Sequence, residues 1–274
     1  MTYATILVNL VAGRSNKHLL EAAQAVADRF QSTVIGTTAC TPARIMYGDT
    51  SYDCGDLVEQ DDKEMAREVA QAEAEFRDAL GNQSRALVWR STITNLPLAD
   101  HLAGEARRAD LVLTAASNGG PRNVTRQILA DDLVMQVGRP VLQIAPVPVR
   151  MDRVLVAWKE TREARRAIAD ALPLLQRAKH VTLVEITREH DLTAARSRLD
   201  DVAQWLEHHG VASESYAKPT TGDDAAGLEM SADELQTDIV VAGAYGHSRV
   251  REWALGGVTR GLLRHATRSA LVSH

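Results

Sequence analysis

The 274-residue chain is short of the residues that mark the commoner special architectures. Its two cysteines, Cys40 and Cys54, are too few for a disulfide framework. Aromatic residues make up only 4% of it, and no apolar run approaches the length that spans a bilayer. It has no excess of positive charge: 31 Lys and Arg stand against 36 Asp and Glu, a formal charge of -5. A nucleic-acid backbone demands clustered cations, so this balance argues against nucleic acid as a partner. Residues 1–8 enter a strand-like run with no basic flank, so a signal peptide is not expected and the compartment expected is cytoplasmic. Neither Gly-x4-Gly-Lys-Ser/Thr nor Gly-x-Gly-x-x-Gly occurs, which removes the P-loop and dinucleotide fingerprints.

What is present is an alternation of short apolar runs and amphipathic segments. Ile6 to Leu10, Thr33 to Ala39, Ala86 to Trp89, Leu111 to Ala115 and Val141 to Ile144 read as strands. Between them, Lys17 to Phe30, Leu57 to Leu80, Leu96 to Ala109 and Val124 to Val137 carry helical spacing. Pro146-Val147-Pro148-Val149-Arg150 reads as a linker, after which the plan repeats from Arg153 to the last strand near Leu271. Asp110 to Ala115 lies over Asp238 to Gly243, and Gly138 to Leu142 lies over Thr267 to Leu271. A repeat this long means two copies of one α/β domain, each with a parallel, doubly wound sheet.

The second copy contains the stretch with the clearest chemistry. Ile239 to Ala242 reads as a buried strand ending at Gly243 and Gly246, and after nine intervening residues Gly256-Gly257 precedes an amphipathic helix. Glycines at a strand end and a helix start expose backbone N–H groups, and no Cβ blocks an anion that approaches them. Ordinary turn chemistry would use the same residues. The first copy has Ala115, Asn118 and roughly Gln127 at the matching positions. A long side chain at that helix start would fill the space of a phosphate, so the first copy is expected not to bind one.

The pattern Gly243-x2-Gly246-x9-Gly256, followed by Val258-Thr259 and a closing strand from Arg268 to Val272, resembles the nucleotide-binding signature of the universal stress protein family. The resemblance implies two tandem doubly wound domains, at 1–147 and 148–274, each a five-stranded parallel sheet flanked by helices. They would pair through their last strands as an internal pseudo-dimer, with two sheets rather than one continuous one; a homodimer of such chains is a further expectation. The implied ligand is ATP or another adenine nucleotide, with Mg as its companion ion, held in the C-terminal copy as a regulator. The residues implied at the site are Gly243, Gly246, His247, Gly256, Gly257, Val258, Thr259, Ala157, Lys159 and Ile186. No catalytic residue is assigned, and slow ATP hydrolysis is the most that is expected. Two departures from the family pattern stand against binding. Gly257 replaces a small hydroxyl residue, and Lys159 replaces the acid that meets adenosine; Lys159 could attract phosphate or pair with Glu160 or Glu185. The alternative is therefore a stress protein that acts by interaction, its glycines serving loop geometry alone.

Other clusters weigh less. Cys40 and Cys54 share a loop with Asp49, Asp53 and Asp56, but the spacing matches no common zinc pattern, and no metal site is assigned. His208-His209 ends a helix, where histidine suits the dipole. Trp158 either covers the mouth of the site or packs against the helix after it.

Overall fold

Runs that are apolar on both faces can only be interior strands, and here they assemble into a single sheet. The computed structural model describes residues 2–42, 55–81, 86–116, 123–128, 130–244, 261–263 and 267–274. In the N-terminal half the order is β1 (Thr5–Asn9), α1 (Lys17–Phe30), β2 (Thr33–Cys40), α2 (Gly55–Leu80), β3 (Leu87–Ile93), α3 (Leu98–Ala106), β4 (Leu111–Ala115), α4 (Ala130–Gln136) and β5 (Val141–Ile144). The C-terminal half repeats it with β6 (Arg153–Ala157), α5 (Arg162–Leu175), β7 (His180–Thr187), α6 (Leu192–His208), β8 (Glu214–Pro219), α7 (Asp224–Glu234), β9 (Ile239–Gly243) and β10 (Ser269–Ser273).

The strand order is β3-β2-β1-β4-β5-β10-β9-β6-β7-β8, ten strands in all. Every pairing is parallel except that of β5 with β10, which is antiparallel. Two five-stranded parallel sheets thus meet through their last strands, as the family resemblance implies. The expectation of two discrete sheets is corrected: the hydrogen-bonded seam merges them into one. Its register pairs Leu142 with Leu271, residues that also match in the repeat, so the pseudo-twofold axis passes through that pair. The repeat extends to fine detail. Asp110 accepts a hydrogen bond from Thr5 N at 2.9 Å, and Asp238 accepts one from Arg153 N at 2.8 Å, so one carboxylate staples each half's first strand.

The helices divide between the two faces. One core gathers residues of α1, α2, α5 and α6 on Ile6, Val8, Val154 and Val156. The other gathers α3, α4 and α7 on Leu7, Leu155 and Val240. Contacts across the seam reinforce it. Tyr3 donates its hydroxyl to Asp170 O at 2.8 Å, Arg177 lies 4.7 Å from the Phe30 ring centroid, and buried Gln143 donates to Leu263 O at 3.0 Å.

One helix falls short of the sequence reading. Residues 124–128 form a turn and loop, and α4 spans only Ala130–Gln136. Val124 is 68% exposed while Arg126 is turned inward, so the apolar spacing there did not mark a buried face. Among the described residues no helix is long and apolar enough to cross a membrane.

Because one sheet runs through both halves, urea should unfold the chain in a single transition followed by far-UV circular dichroism. Leu271, fully buried at the seam, should cost about 2–5 kcal/mol when changed to Ala. Two independent transitions in the unmodified chain would contradict a shared core.

Candidate functional site

In a doubly wound sheet the crevice lies where successive connections leave in opposite directions, outside the carboxyl ends of the strands. In the C-terminal half that point falls between β6 and β9: from β6 the chain crosses to β7 on one side, and from β9 to β10 on the other. Ala157 ends β6 and Gly243 ends β9, and both therefore border the crevice.

Gly243 is held there by a close approach. A Cβ on it would lie 2.5 Å from Ala164 N and 2.5 Å from the Glu163 carbonyl carbon, both backbone atoms at the start of α5. The strand end thus rests directly on a helix N-terminus. That terminus is capped by Thr161, whose hydroxyl accepts from Ala164 N at 3.2 Å. Glu163 in its first turn is buried, which pushes its carboxyl upward. The Arg162 hydrogen bond at 2.6 Å, with the charges of Arg162 and His274, outweighs burial and holds it below the usual range. The start of the next loop is fixed by β10, since Ala244 N donates to Ser273 O at 2.8 Å.

The other expected residues are placed as follows. Ile186, 8% exposed, and Ala157 belong to the core on the α7 face. Lys159 is solvated, and its Nζ lies 3.3 Å from Asp224 Oδ2 at the start of α7. The partners expected for it are engaged elsewhere, Glu160 with Arg165 and Glu185 with Arg198. Asp224 also accepts from Thr220 Oγ1 at 2.6 Å, so the carboxylate beside this crevice comes from α7. Sequence reasoning missed it, although Asp223-Asp224 after a strand is a visible helix start; Asp223 indeed caps α7 through Ala225 N and Ala226 N. Trp158 is 6% exposed and joins the core of α5 and α6, on the opposite face, rather than covering the crevice. Gly246, His247, Gly256, Gly257, Val258 and Thr259 lie outside the described residues.

The matching crevice of the N-terminal half, between β1 and β4, is built differently. Thr41, just after β2, donates its N–H to Thr125 O at 2.8 Å, so the segment after β4 reaches past β1 to β2. Arg126, 6% exposed, pins it there. Its Nε donates to Glu68 at 2.6 Å, Nη2 to Asp61 at 3.2 Å and Nη1 to Thr41 O at 3.2 Å. Burial alone would lower this guanidinium's pKa; the hydrogen bond and charge of Glu68, with the hydrogen bond to Asp61, raise it instead. The sequence expectation named Gln127 at a helix start as the obstruction. The structure puts Gln127 in a loop and gives the inward position to its neighbour Arg126. Cys40 beside this cluster is a free, buried thiol, pushed up to about 11 by burial despite the Arg126 charge. Cys54 lies outside the described residues, and among the described residues no group of three or more His, Cys, Asp or Glu could hold a metal ion.

The two copies should answer differently to one methyl group. Gly243→Ala forces a Cβ onto backbone and should destabilise the chain by about 1–3 kcal/mol in urea unfolding. Ala115, the matching residue, already carries its Cβ. A neutral Gly243→Ala would show that β9 does not rest on α5 as described.

Residues 151–274 match the family model described as the universal stress protein family. No curated protein matches the chain in sequence. Among solved structures, a universal stress protein from Archaeoglobus fulgidus is similar over 100% of this chain and 99% of its own, with TM-score 0.73 and 12% identity. A protein from Pseudomonas aeruginosa described as a putative universal stress protein is similar over 99% of this chain and 93% of its own, with TM-score 0.63 and 16% identity. Residues 151–274 thus match the universal stress protein family, and the chain as a whole shares the fold of solved structures described as universal stress proteins.

Proposed function

We propose that the C-terminal domain binds ATP or another adenine nucleotide in the crevice at the ends of β6 and β9. The carrying observation is that Gly243, the first residue of the Gly243-x2-Gly246-x9-Gly256 pattern, stands at that switch point. The surrounding chemistry suits each part of such a ligand. Ala157 and Ile186 offer apolar surface to a base. Lys159 offers a cation to phosphates, and Asp224 an acceptor for a ribose hydroxyl, replacing the acid missing from the strand end. From the sequence, Gly246, His247, Gly256, Gly257, Val258 and Thr259 supply the phosphate loop, with Mg as companion ion.

Residues 1–147 act as the partner domain, an internal pseudo-dimer half whose own crevice is bridged by the Arg126 contacts. The nucleotide is a regulatory ligand, bound rather than turned over. A second reading, a protein that works by interaction alone, is favoured by the Lys159–Asp224 pair, which satisfies both charges without a ligand.

Calorimetric titration with ATP should give one site per chain. Gly246→Val should abolish that binding with an unchanged circular dichroism spectrum, because a branched side chain would stand where the anion approaches. No binding of any adenine nucleotide at millimolar concentration would leave the interaction reading in its place.

A further inference from the structure

On the α5 and α6 face of the sheet, away from α7, lies a cleft of about 370 Å³, within the size range of small-molecule sites. Trp158 and Trp205 line it, with apolar Ile168 and Val202 between them. Four charged side chains also reach it: Glu160, Arg165, Arg198 and Asp201. Their pairing decides what the cleft can hold. Arg165 is bonded to Glu160, and Arg198 is bonded through both Nε and Nη2 to the buried Glu185. Asp201 alone among these has no partner among the described residues, so the charge left over is negative. The adjoining surface carries Asp200 and Glu207, which deepens that bias.

We propose that this cleft is a second ligand site, for a small molecule with one aromatic ring and a protonated amine. The ring would occupy the apolar space beside the two indoles, where aromatic pairs gain beyond simple burial. The ammonium group would meet the Asp201 carboxylate, and tryptophan faces nearby favour a cation further. An anionic ligand finds no unpaired cation in the cleft. The site is separate from the nucleotide crevice and does not depend on it. It touches the reverse side of the same strand ends: Trp158 precedes Lys159, and Arg198 grips Glu185, the residue before Ile186.

The test uses the full chain and 2-phenylethylamine, with 2-phenylethanol and 3-phenylpropionate as neutral and anionic counterparts, followed by ligand-observed NMR titration. The amine should bind at least tenfold more tightly than either counterpart. Asp201→Asn, at an exposed position that leaves the fold intact, should erase that preference, and Trp205→Ala should abolish binding of the amine. Addition of ATP should not displace it. Equal binding of all three probes, no binding of the amine at millimolar concentration, an unaltered preference in Asp201→Asn, or displacement by ATP would each overturn the proposal.

Discussion

The antiparallel pairing of β5 with β10 is the constraint on which the rest depends. It joins two edges made of residues that are buried on both faces, Val141 to Ile144 and Ser269 to Ser273. Unpaired, each would present an open ladder of N–H and C=O groups flanked by apolar side chains, a template for aggregation. Paired, they place Leu142 against Leu271 on the pseudo-twofold axis and leave the outer edges to β3 and β8. Those outer strands are half-exposed and carry Arg90, Glu214 and Lys218, as edge strands should. The helices follow from this arrangement. α1 and α5 come together across the seam, where Tyr3 and Phe30 meet edge to face at 4.9 Å and Arg177 covers Phe30.

With the halves locked in one frame, the repeat is free to diverge at its two crevices. In the C-terminal half β9 ends in a glycine pressed on the start of α5, and the crevice keeps Lys159 and Asp224 at its side. In the N-terminal half a guanidinium bridges the equivalent region to α2. Burying a charge is tolerable only when it is well bonded, and Arg126 meets that condition with two carboxylates and a backbone carbonyl. Glu68, one of those carboxylates, lies against Gly13, whose φ of +74° and lack of a Cβ allow the close contact.

Much of this was legible in the sequence, for reasons that can be named. Buried parallel strands such as Leu111–Ala115 and Ile239–Gly243 are apolar throughout, and their alignment exposed the repeat without any structure. The continuous sheet was not legible, because pairing through last strands is compatible with either merged or separate sheets until the register is known. Residues 124–128 read as the start of a helix running to Val137, yet Arg126 turns inward to two acids distant in sequence, and the helix begins only at Ala130. Lys159 was assigned to neighbours in sequence or strand, Glu160 and Glu185, whereas its partner Asp224 lies sixty-five residues away. Contacts of that separation leave no periodicity to read. Trp158 could point to either face of the sheet, and only packing decided which.

The central claim of the proposed function is that nucleotide binds at the C-terminal crevice and not at the N-terminal one, which Arg126 bridges. Hydrogen–deuterium exchange with and without ATP tests it most directly, because it reads both crevices in the same molecule. The account predicts slower exchange on ATP addition at residues 157–160 and 243–244, and unchanged exchange at residues 9–14 and 123–126. Protection at the N-terminal segments, or equal protection in both halves, would contradict it.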